Sequence, residues 1–152
     1  MRIGIAAKAQ MSKLFWLSAA LMIANPAVAQ DAIYVFELAS RNPSVMQAWH
    51  RIMPERFESS WAYNFEGPSI PMQAVSLSGK TYFVGWMCKP HDCPNYEIAF
   101  LIAADGSQAF ARVGIWAGEE GNEFGSPTAE EAELMASVLD EKQLPLSSRS
   151  RR

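Results

Sequence analysis

Apolar residues recur along this chain at two different periods, and the change of period divides it. In residues 41–54, RNPSVMQAWHRIMP, Val45, Trp49, Ile52 and Met53 share one face at helical spacing. Asn42 suits the N-cap and Pro43 the first helical position, while Pro54 ends the run. His50 falls beside Arg51 and off the apolar stripe, which predicts a solvated surface position. The segment before it, 31–40, is mixed and predicts either a short helix or an extended arm. Residues 66–71, EGPSIP, read as a loop by composition.

From residue 72 the pattern shortens to that of strands. MQAVSL (72–77) alternates weakly, Ser78-Gly79 makes a turn, and KTYFVGWM (80–87) is dense in β-formers. YEIAFLIA (96–103) predicts another strand, Asp105-Gly106 a two-residue hairpin turn, and QAFARVGIWA (108–117) the return strand. Tyr82, Val84 and Trp86 lie on one face of their strand, Phe83 and Met87 on the other, and 98–102 is apolar on both faces. A sheet open to water on one side should alternate cleanly. This one does not, so the pattern predicts helices against both faces. GEEGNEFG (118–125) predicts a glycine-rich loop whose Glu119, Glu120 and Glu123 are solvated. A final helix follows, with Ser126 as cap, Pro127 in its first turn, and a buried stripe of Ala132, Met135, Val138 and Leu139. The tail from Leu144 carries no pattern and is expected to be disordered. The result is helices, a meander of four or five strands, and a closing helix.

Charge and the first residues change this picture by adding a compartment. Residues 1–13 contain Arg2, Lys8 and Lys13 and no acid; LFWLSAALMIA (14–24) is apolar, and Ala27-Val28-Ala29 is a small-x-small site. That order is the pattern of an export signal, with cleavage expected after Ala29 and an exported mature chain in an oxidising compartment. The apolar run is shorter than the roughly 20 residues of a membrane span, and no later run reaches that length. Cleavage removes three cations and no acid, so the mature chain is more acidic than the net charge of −3 of the whole sequence. Arg149, Arg151 and Arg152 then concentrate positive charge in the tail and leave an acidic body. Such a body argues against nucleic acid as partner and favours a basic protein.

Both cysteines and one of the two histidines fall within residues 88–93, CKPHDC. Zinc draws its four ligands, or three plus water, from separated pairs; here Cys88, His91 and Cys93 stand on one short loop, and His50 is far away in sequence. A thioredoxin-like pair uses C-x-x-C at a helix N-terminus, whereas this spacing is C-x4-C and leads into a strand. A cysteine nucleophile needs a free thiolate, which an oxidising compartment removes when only two cysteines are present to pair. There remains a disulfide closing a short loop, with Lys89, Pro90, His91 and Asp92 facing outward. It serves either as an ordinary stapled hairpin tip or as a rigid platform that loses little entropy on binding. Metal, cofactor and enzymatic readings each lack a ligand set or a nucleophile with its base.

The hexapeptide Cys88-Lys89-Pro90-His91-Asp92-Cys93 resembles the signature loop of the Ivy family, periplasmic inhibitors of vertebrate (c-type) lysozyme. The run into it, PMQAVSLSGKTYFVGWM, is similar to that family's strand-turn-strand approach. The resemblance implies an α+β fold in three α/β/α layers, with a central antiparallel meander of about five strands and helices before and after it. It covers most of residues 34–140, so that between the signal (1–29) and the basic tail (144–152) the segment 30–143 is the expected inhibitor domain. It implies a lysozyme partner, with His91 meeting the catalytic carboxylates, Lys89, Pro90 and Asp92 shaping its surroundings, and Cys88–Cys93 as staple. A monomer and a homodimer are both compatible with it, as is binding to endogenous lytic transglycosylases. Two further readings stay open: an enzyme acting on peptidoglycan, and a structural domain of the periplasm.

Overall fold

The computed structural model describes residues 32–141; the expected signal peptide (1–29) and basic tail (144–152) lie outside them. The chain runs α1 (Val35–Arg41), α2 (Pro43–Ile52), a single 3-10 turn (Glu55–Phe57), strands β1 (Gln73–Leu77), β2 (Lys80–Cys88), β3 (Glu97–Ala103), β4 (Ala109–Ile115) and β5 (Glu123–Phe124), and α3 (Ala129–Glu141). The strands form one antiparallel meander in sequence order. The fold is therefore α+β, and helices cover the sheet on both faces, as the two-sided apolar strands require.

The face toward α1 and α2 buries Trp49, Phe57, Phe65, Met87, Ile98, Phe100 and Ile102. Trp49 sits at its centre, 4.6 Å from Phe65 and 6.2 Å from Phe100 between ring centroids, and its indole N–H donates to Ala62 O at 2.9 Å. That bond removes the penalty a buried indole donor otherwise carries. The opposite face buries Tyr82, Val84, Ala99, Leu101 and Phe110 beneath Met135, Val138 and Leu139 of α3. Val45, Trp49 and Met53 are buried and Ile52 half-buried, so the stripe predicted for α2 is the one that packs. Asn42 caps that helix, its Oδ1 accepting from Ser44 N at 3.2 Å, with Pro43 at the first helical position.

Four local expectations are corrected. The final helix is capped by Thr128 rather than Ser126: the Glu131 carboxylate accepts from Thr128 N at 2.8 Å, and Thr128 Oγ1 accepts from Glu131 N at 3.4 Å. This is a capping box, T-x-x-E. The β3–β4 hairpin has a four-residue loop, since Ala103 N donates to Gln108 O and Gly106 N to Ala103 O. A two-residue type I′ turn needs positive φ at both central residues, and here only Gly106 has it. Ser78-Gly79, with φ of 48° and 79°, does form that turn between β1 and β2. His50 is half-buried rather than solvated: its ring stacks on Tyr63 at 4.0 Å, with Nε2 3.2 Å from Tyr63 O. The acidic loop leaves Glu120 and Glu123 exposed as expected, but it contains β5 and is tied down: Glu119 and Glu123 pair with Arg56 and Arg112, and Glu120 Oε2 accepts from Gly118 N at 2.9 Å. A run of acids reads as solvated when the arginines that meet it lie far off in sequence.

Candidate functional site

The loop between the central strands β2 and β3 is built on the pairing of Cys88 with Glu97. Cys88 ends β2 fully buried, Cys93 is half-buried, and the two form a disulfide across a Cα–Cα distance of 4.8 Å. With both sulfurs so bonded, neither is available as a thiolate or a metal ligand.

From the staple onward the chain makes two successive turns, the first within it and the second running past Cys93. Asp92 N donates to Lys89 O at 3.0 Å, and Asn95 N donates to Asp92 O at 3.1 Å. In the first turn, proline at the second position and positive φ at the third define type II; His91 occupies that third position with φ of 64°. Glycine or asparagine is usual there, because a Cβ in the left-handed region costs roughly 1–2 kcal/mol. The chain thus holds an imidazole, exposed at the tip, where local energetics favour a smaller residue.

The surroundings restrain that turn from several sides. Lys89 N donates to Tyr96 O at 3.1 Å and closes the loop at its base. The Lys89 ammonium lies 4.2 Å from the centroid of the Tyr96 ring and 4.0 Å from Asp92 Oδ2. Asn95 Nδ2 donates to Asp92 Oδ1 at 2.7 Å. Each contact is partly exposed and worth a fraction of a kcal/mol to about 1. Acting together, they fix the direction in which His91 projects.

Below the loop, segment 67–70 runs along the end of β2. Cys88 N donates to Pro68 O, Ile70 N to Trp86 O, and Ser69 bridges to Met87. Gly67 permits this approach, because a Cβ there would overlap the Cys88 carbonyl and the Trp61 ring. Replacing Gly67 with alanine is expected to push the segment off β2 and lower stability by about 1–3 kcal/mol. Urea denaturation of the variant checks this; an unchanged midpoint would contradict the packing described.

All six residues singled out in the sequence are thus together on one loop: the sulfurs at its base, Lys89 and Asp92 against its flanks, Pro90 and His91 at its turn. Sequence reasoning missed the support. Tyr96 was read only as the start of a strand, Asn95 drew no attention, and Gly67 looked like ordinary loop composition. The Gly67-Pro68 dipeptide was the available signal for a close backbone approach.

Beside the loop lies an open groove of about 530 Å³ walled by Trp61, Tyr96 and Trp116. Trp61 and Trp116 stack at 5.5 Å, and Tyr96 meets Trp116 edge-on at 5.5 Å. The turn that carries Trp116 is pinned by Arg56, whose guanidinium bonds Glu119 through two nitrogens at 2.7 Å each. That contact, with Asn122 donating at 2.7 Å, holds the Glu119 carboxyl below the usual carboxylate range.

The chain is thus a small α+β domain that carries one exposed histidine on a disulfide-closed turn between its central strands. The chain belongs to the family Inhibitor of vertebrate lysozyme (Ivy), whose model matches residues 29–138. It is 34% identical over 102 residues to the inhibitor of vertebrate lysozyme of Pseudomonas aeruginosa, and 32% identical over 104 residues to that of Escherichia coli K12. These matches cover 66% and 68% of this chain, and the chain spans 65% of the length of each relative.

Proposed function

We propose that this protein is a periplasmic inhibitor of c-type lysozyme that places the stapled loop in the enzyme's active-site cleft, with His91 between the two catalytic carboxyls. The observation that carries the reading is His91 itself, exposed at the tip of a disulfide-closed turn at a positive φ of 64°. Phe65, Ser78 and Ser126 also have positive φ, but His91 combines it with an exposed tip and a closed loop, and strain enforced by surrounding contacts clusters at functional positions. Family membership and the names of the relatives supply the partner class.

Retaining glycosidases hold their two carboxyls about 5–5.5 Å apart, one protonated and one ionised. An imidazole has two ring nitrogens directed apart, so it can accept from the acid and donate to the carboxylate, or donate to both when protonated. The histidine then stands where a sugar ring would bind, and no bond is made or broken. Export by the segment 1–29, with cleavage after Ala29, would bring the inhibitor to the wall it protects.

The test is lysis of peptidoglycan by c-type lysozyme with and without the purified mature protein. Stoichiometric loss of lysis is expected. Full lysis at excess inhibitor, or inhibition confined to a lytic transglycosylase assayed in parallel, would refute the proposed target.

A further inference from the structure

We propose that the aromatic groove beside the loop is a second contact with the same target, receiving an apolar side chain from the rim of the cleft that His91 enters. This rests on the proposed function and adds a separate surface to it. Lys89 and Pro90 belong to both the loop and the groove, so a partner that takes the loop is brought to the edge of the groove.

Three observations define the occupant. First, stable protein interfaces bury roughly 800 Å² and 20–30 residues on each side, which residues 89–95 are too few to supply. A neighbouring surface must carry the rest. Second, the walls are already rigid. Trp116 is held by Trp61, Tyr96 and, edge-on at 4.7 Å, by Phe57. Pre-ordered tryptophan and tyrosine at the centre of a contact are the residues that most often dominate binding energy. Third, among the described residues the only charged group lining the groove is Lys89, and its ammonium lies over Tyr96. A cation from the partner is therefore disfavoured. Among the described residues the lining holds neither a carboxylate nor a side-chain amide, and the Ser60 hydroxyl and Trp61 indole N–H are buried beneath its surface, so the face on offer is mainly aromatic and suits an apolar side chain.

Ser59, exposed at the rim, allows the groove to be filled without touching the core. Calorimetric titration of c-type lysozyme into wild type, Ser59→Tyr and His91→Gly, with thermal melts of each, tests the assignment. Ser59→Tyr is expected to weaken binding about 10-fold at an unchanged melting temperature. Hydrogen exchange of wild type should show protection of residues 59–61 and 116 in the complex. Wild-type affinity for Ser59→Tyr beside a large loss for His91→Gly would overturn the groove and leave the inhibitor reading standing. Wild-type affinity for both variants would overturn both. Perturbation of the groove by an N-acetylglucosamine trisaccharide alone would make it a saccharide subsite and overturn the proposal.

Discussion

Replacing His91 with alanine is expected to raise the inhibition constant for c-type lysozyme by about 100-fold or more, without lowering the stability of the inhibitor. The side chain is exposed and makes none of the contacts that fix the loop, which run through Lys89, Asp92, Asn95 and Tyr96. Its removal therefore leaves the fold intact. In the complex it would leave two carboxyls of the enzyme beneath the loop without a partner. Charge-assisted hydrogen bonds contribute about 1.5–3 kcal/mol each, and about 2.7 kcal/mol corresponds to 100-fold. Alanine at φ of 64° keeps the backbone strain that histidine has, so its loss of affinity alone does not separate the imidazole from a shifted turn. His91→Gly separates the two causes. Glycine relaxes the strain and keeps the turn, so it should lose the same affinity if the imidazole is responsible. Recovery of wild-type inhibition by the glycine variant would show that the turn's shape, and not the imidazole, carries the binding.

The legible part of this protein is the part set by residues close together in sequence. The α2 stripe from Val45 to Met53, the Ser78-Gly79 turn and the strands from 80 onward follow from period and turn chemistry, because each is decided within one element. Apolar residues on both faces of β2 even indicated helices on both faces, and the two cores, with Met87 in one and Tyr82 and Val84 in the other, bear this out. The loop chemistry was legible for the same reason, being written within 88–93. What lay beyond reach was joined across the fold. Arg56 meets Glu119, Arg112 meets Glu123, and His50 lies on Tyr63. The groove needs Trp61 from an irregular segment, Tyr96 from the foot of a strand and Trp116 from the end of another. Nothing local marks those three as neighbours. The displaced cap of α3 is a different kind of miss, since Thr128 and Glu131 carry the capping-box spacing and Ser126 competed only by standing next to Pro127.

Removal of the staple is the second large effect, and it should appear more in binding than in folding. Closing so short a loop is worth about 2 kcal/mol of stability by chain entropy, modest beside a core that buries Trp49, Phe57 and Phe100. The folded loop would still be tied at its base by Lys89 N to Tyr96 O and by Cys88 N to Pro68 O. Those bonds hold the feet of the turn and not its tip. The residues freed are the ones around His91, and fixing a residue's backbone costs roughly 1–2 kcal/mol. Some of that cost would be incurred at binding once the disulfide no longer imposes the turn. The strain at His91 adds to the effect, since a loop without the staple can relax the residue out of positive φ. The variant should be Cys88→Ala with Cys93→Ser, because Cys88 is fully buried and a serine there would leave a hydroxyl without water. Its expected behaviour is a loss of about 2 kcal/mol in urea unfolding and an inhibition constant raised about 30-fold or more. Reduction of wild type with a thiol should reproduce both changes, and reoxidation should reverse them. Inhibition that survives at full affinity in the stapleless variant would mean the turn is held by Lys89, Asp92 and Tyr96 alone. The disulfide would then be an ordinary stability element.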